Sequence, residues 1–119
     1  MKLLTSIMLF FVCTHVFATV NYDCNFDSFS NGKTLDEEDL KLTFLLDDIS
    51  GKAYIIGNNG SKEVAYIFND EARTFIEITD TGNVMTTTIT SKLEAVHSRN
   101  SVIFGKLIPS QYYGSCISK

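Results

Sequence analysis

The residues with the best claim to chemistry lie in Ala95-Val96-His97-Ser98-Arg99. His97 is one of two histidines in the chain, and the other, His15, falls in a leader that is expected to be removed. As a general base His97 would draw a proton from a substrate, and Arg99 would stabilise the anion that develops. Alternation along a strand puts His97 and Arg99 on one face and Ser98 on the other. The adjacent hydroxyl therefore points away from its supposed base, and a lone histidine offers few routes to nucleophilic catalysis. His97 reads as a surface or hydrogen-bonding residue, and the protein as one that is not an enzyme.

Thr86-Thr87-Thr88, with Thr90, is a hydroxyl-rich run. On a strand, Thr86, Thr88 and Thr90 share a face, as a solvent-facing ladder or as the lining of a polar pocket. If this strand pairs with the His97 strand, Thr86, Thr88, His97 and Arg99 form one patch, the sharpest candidate binding site. Acidic groups cluster at Asp36-Glu37-Glu38-Asp39, Asp47-Asp48 and Asp70-Glu71. None of these runs has the alternating oxygen ligands and glycine bend of a calcium loop, and one histidine leaves no zinc set. No metal or cofactor is expected. Tyr112 and Tyr113 are adjacent, so one should pack inward while the other faces outward.

The elements that carry these residues read as strands. Val20, Tyr22, Cys24 and Phe26 alternate with polar residues, and Leu40, Leu42, Phe44 and Leu46 do the same. Further β-rich runs cover 53–56, 64–68, 74–79, 84–90, 95–104 and 107–113, giving about eight strands. Asn31-Gly32, Ser50-Gly51, Asn58-Asn59-Gly60, Asn69-Asp70 and Asp80-Thr81-Gly82-Asn83 supply turn chemistry between them. Connections this short predict an all-β antiparallel meander that closes into a barrel or splits into a sandwich. Thr34-Leu35-Asp36-Glu37 instead resembles a helix start, with Thr34 as N-cap and Glu37 three residues on, so a helical turn or an acidic loop is expected there. The sole proline, Pro109, suits an edge strand or bulge.

Residues 1–18 combine Lys2, an apolar run from Ile7 to Val12 and Val16-Phe17-Ala18, the pattern of a cleavable signal peptide. Cleavage would leave residues 19–119 as a single β domain in the periplasm or outside the cell. It would also remove Cys13, leaving Cys24 and Cys116, which an oxidising compartment should pair. A barrel that makes neighbours of its first and last strands favours one bond within the chain over a bond between two copies. The formal charge of −4 becomes −5 once Lys2 is lost. An acidic monomer with no basic run points away from nucleic acid and from stable membrane insertion, and toward a cationic protein partner.

Two resemblances add to this reading. The run Gly82-Asn83-Val84-Met85-Thr86-Thr87-Thr88-Ile89, followed by Ala95-Val96-His97-Ser98-Arg99 and Pro109-Ser110-Gln111-Tyr112-Tyr113-Gly114-Ser115-Cys116, resembles a family of small exported bacterial proteins. The likeness reaches back through Gly57-Asn58-Asn59-Gly60, and it implies an envelope or secreted location without a particular chemistry. Tyr22-Asp23-Cys24, Cys116 and Ser50-Gly51-Lys52-Ala53-Tyr54 are similar to elements of the periplasmic inhibitors of animal-type lysozyme. That likeness implies a small β-barrel in which Ser50, Tyr54 and, further along, Lys62 belong to an inhibitory surface facing an enzyme's carboxylates. This chain lacks that family's second motif and runs two or three strands further. The function expected is thus a binding or inhibitory module, with a cationic cell-wall hydrolase as one target. The alternatives are an enzyme using His97 and Arg99, and a structural envelope component.

Overall fold

A computed structural model describes Leu9, residues 19–58 and residues 60–119. Apart from Leu9, the leader read at residues 1–18 lies outside the described residues. Eight strands follow one another: β1 (Thr19–Ser30), β2 (Leu35–Asp47), β3 (Ala53–Gly57), β4 (Gly60–Phe68), β5 (Ala72–Ile78), β6 (Val84–Thr90), β7 (Glu94–Ile103) and β8 (Lys106–Ser118). Each pairs antiparallel with the next, and β8 returns to β1, so the sheet is a closed barrel rather than a sandwich. Closure follows from the short connections: consecutive strands have no route except to lie side by side, and the accumulated twist brings the last to the first.

Cys24 sits directly opposite Cys116 in the β1–β8 ladder, and the two form a disulfide. This is the seam of the barrel. Gly114 faces Phe26 there, and a Cβ at Gly114 would lie 2.0 Å from the Asn25 carbonyl oxygen. Only a residue without a side chain admits that approach. One position further on, Asp27 is an extra residue in β1, so the register shifts between Phe26 and Ser28. The bulge turns the strand by one face. Phe29 thereby joins Phe26 on the inner side, where it stacks obliquely on Tyr112 at 4.9 Å.

One element departs from expectation. Thr34–Leu40 forms neither a helical turn nor a loop: Leu35, Asp36 and Glu37 pair with Ser30, Phe29 and Ser28 as the first rungs of β2. Tertiary pairing with a long β1 overrides a local capping pattern whose intrinsic worth is about 1 kcal/mol. The N-cap-like Thr34 hydroxyl instead bonds Asp36 at 3.2 Å, within the turn and its first rungs.

The two ends of the barrel differ in strand length. The base carries Thr19, Ser118 and the turns after β2, β4 and β6. The mouth carries the turns after β1, β3, β5 and β7. At the mouth β7, β8, β1 and β2 rise as a four-stranded wall, whereas β3 to β6 stop short, since β6 pairs with β7 only as far as Met85 and Arg99. Pro109 lies in this wall beyond the last β1–β8 rung, Ser30 with Gln111, where β8 has β7 as its sole neighbour. That is the edge-like setting expected of it.

Candidate binding face

Alternation decides which side chains enter the barrel, and the register decides which of them meet. On β7, His97 and Arg99 face inward, as the pattern predicts. Their neighbours differ from expectation, because His97 pairs with Thr87 rather than with Thr86 or Thr88. Thr86 and Thr88 pair with Ser98 and Val96 and stand on the outer face, where Thr88 bonds Thr74 at 3.1 Å between their hydroxyls. The four-residue patch expected from the sequence is thus split across the barrel wall: His97 and Arg99 inside, Thr86 and Thr88 outside. Sequence reasoning passed over Thr87, the hydroxyl that does meet the imidazole.

His97 is buried, 3% exposed, rather than at the surface. A bond of 2.7 Å joins its Nδ1 to Thr87 Oγ1, with the donor set by the imidazole tautomer. The rings of Phe26 and Tyr112 flank it at 5.9 and 5.7 Å. Burial, with the Arg99 guanidinium nearby as a smaller cause, pushes its pKa down to about 4, so the imidazole is neutral at physiological pH. Arg99 donates to the Tyr112 hydroxyl, which identifies Tyr112 as the inward member of the tyrosine pair, while Tyr113 faces outward. This cluster is a satisfied polar knot within an aromatic setting. Nothing in it places a proton acceptor against open space.

The mouth does open. A cavity of about 520 Å³ enters the barrel between the short strands, lined by Leu42 and Ile55 at its apolar side and by Asn58, Lys62, Glu77 and Asp80 around its polar side. Lys62 is partly neutralised: its Nζ donates to the Ile78 carbonyl at 2.6 Å and lies 4.0 Å from the Asp80 carboxylate. Glu77 sits on the inner phase of β5, two residues beyond the buried Phe75. Beside this opening runs the edge of β2 from Leu35 to Leu42, whose pairing with β3 begins only at Thr43. Asp36, Glu37, Glu38 and Asp39 are all exposed there. The acidic run is therefore the chemistry of an unpaired strand edge, where charge discourages pairing with another chain.

The base is more tightly tied. Ser91 N donates to the Glu71 carbonyl at 2.9 Å, and Asn21 and Lys119 exchange backbone bonds of 3.2 and 2.9 Å. A smaller space of about 350 Å³ remains beside Arg73. Arg73 donates to the Tyr66 hydroxyl at 2.6 Å and stands over the Tyr22 ring at 5.7 Å. Ser50 belongs to this end, in the turn after β2, where its hydroxyl donates to Asp47 at 2.9 Å and accepts from the Lys52 amide. Tyr54 lies on the outer phase of β3, opposite Glu63. Ser50 and Lys62 do not meet: one is in a base turn, while the other bonds residues that line the mouth.

Against this geometry, the comparisons with known proteins are empty: no family model, no curated protein and no solved structure matches the chain.

Proposed function

We propose that the protein is an exported, non-catalytic binding module whose mouth receives a cationic protein. The observation that carries this reading is the charge beside the opening. Four exposed carboxylates, Asp36 to Asp39, line a free strand edge next to a cavity in which Asp80 partly neutralises the one lysine, Lys62, and Glu77 is left over. A partner's lysine or arginine entering the mouth would meet Glu77 in a site half shielded from water, where a charge pair is stronger than on the open surface. The acidic edge would speed encounter and would lose force as salt screens it. Export fits a disulfide that persists in an oxidising compartment, and an inhibitory action on a basic cell-wall hydrolase is one form this reading takes. The burial of His97 supports binding over catalysis.

Calorimetric titration of residues 19–119 with a basic lysozyme, at low and at high salt, tests it. Binding is expected at low salt, about ten-fold weaker at high salt, and absent in Glu77→Gln combined with neutral amides at 36–39. His97→Gln should bind as the parent does. No binding at low salt, or binding that survives the neutralised mouth, overturns the reading.

A further inference from the structure

A closed barrel has no edges where every strand keeps both neighbours, but the wall above the mouth restores three. Among the described residues, β2 is unpaired on its β3 side from Leu35 to Leu42, β8 on its β1 side from Lys106 to Ser110, and β7 on its β6 side from Asn100 to Ile103. The first carries four carboxylates. The second carries Lys106 and Pro109, and Gly32 of the β1–β2 turn packs toward the Pro109 ring. Charge, proline and a covering turn are the ordinary protections of an edge. The third edge, Asn100-Ser101-Val102-Ile103, has none of them.

The hairpin that ends this third edge is apolar and unfavourably shaped. Val102 and Leu107 are cross-strand partners on its outer face, 66% and 68% exposed. Its two-residue turn, Phe104-Gly105, has positive φ at both positions, 49° and 73°. Asparagine or aspartate with glycine is favoured in such a turn, and a bulky residue there costs roughly 1–2 kcal/mol. Phe104 accepts that cost while its side chain is wholly exposed, so the single chain gains nothing from it.

We infer that two copies of this chain pair antiparallel through β7, with Val102 opposite the partner's Val102. A two-fold axis perpendicular to the sheet keeps each residue on its own face, so a residue can face its own copy, and Asn100 then faces the partner's Phe104. Phe104 thereby reaches the start of the partner's β6, where Val84 is exposed. The charge distribution selects this occupant. Joining the uncharged edges fuses two walls into one sheet, with the two acidic β2 edges at its far sides, so like charges stay apart. Insertion into a membrane is disfavoured by the same features: unpaired edge amides and carbonyls cost several kcal/mol in hydrocarbon, and the neighbouring carboxylates repel an anionic surface. The arrangement differs from the monomer expected from the sequence.

Sedimentation of residues 19–119 over a concentration series, with cysteine cross-linking, tests the inference. The dimer fraction should rise with concentration. Val102→Cys should oxidise to a linked dimer, because directly opposed residues lie about 4.5–5.5 Å apart, within disulfide reach. Leu107→Cys, equally exposed but on β8, should not. Val102→Lys should weaken association about ten-fold or more, since it sets like charges face to face. A monomer at every concentration, a dimer that Val102→Lys leaves intact, equal cross-linking at the two positions, or a monomer that instead floats with anionic vesicles would each overturn it.

Discussion

The two halves of the barrel are built from similar parts and arranged to different ends. Toward the base, Tyr22, Phe44, Tyr66 and Phe75 form one aromatic cluster, with Phe44 stacked on Phe75 at 4.5 Å and Arg73 bonded to a tyrosine hydroxyl above it. Toward the mouth, Phe26, Phe29 and Tyr112 form a second, again with an arginine on a tyrosine hydroxyl, but here His97 and Thr87 bring polar atoms into the interior. The base spends its arginine on closing a short-stranded end whose turns are cross-bonded. The mouth leaves the cavity open and continues half of its strands past it. Packing that maximises burial lies at one end, and surface that burial leaves unsatisfied lies at the other.

The sharpest way to break the contrast is to truncate both ends. Phe75→Ala, at a residue 1% exposed within the base cluster, should cost about 3–5 kcal/mol in denaturant unfolding. Leu42→Ala beside the mouth cavity should cost about 1 kcal/mol, because solvent already reaches part of that site. Equal costs would dissolve the distinction between a tightly packed half and an open one.

The next effect belongs to His97 and to pH. Its folded pKa lies near 4 and its unfolded value at about 6.5, so between these values the unfolded chain binds a proton that the folded chain refuses. Stability should therefore be complete above about pH 6.5 and decline by about 3 kcal/mol as pH falls toward 4. His97→Gln should flatten that interval, measured by thermal melts across the range, whereas a decline that persists would place its origin in other groups. The smallest expected effect compares the two arginines. Burial raises the Tyr22 pKa above its usual value while Arg73 draws it back. Arg73→Met should raise its titration midpoint further in ultraviolet absorbance, and Arg99→Met should leave it in place.

The architecture was legible because its signals were local and repeated. Period-two alternation marked the first two strands, β-rich runs marked the other six, turn residues marked most of their boundaries, and one cysteine in each terminal strand implied that those strands are neighbours. The site was less legible because it depends on parity. His97 meets Thr87 through the register set by the turn Ser91-Lys92-Leu93, where Leu93 adopts a φ of 67°. A leucine in that conformation leaves no mark in the sequence as glycine or asparagine would, and a shift of one residue would have given His97 the outer threonines. The acidic run misled for a related reason. Its capping pattern is visible within four residues, while the partners that make it a strand, Ser28 to Ser30 of β1, lie outside that window. The unprotected β7 edge was also hidden, because nothing in Ala95–Phe104 says where β6 begins.

The seam has a mechanical consequence. Thr19 and Lys119 leave the barrel at the same end, and the Cys24–Cys116 bond lies only a few residues inside them, spanning a sequence separation of 92. A pull transmitted through both would first peel the Asn21–Lys119 rung and then load the covalent bond. The ladders between β2 and β8 would carry none of that tension. Under oxidising conditions the domain should bear a load between these two ends as a knot in a cord does, lengthening by a few residues and holding its shape. Reduction would turn the same pull into one that unzips β1 from β8 and opens the barrel from its base.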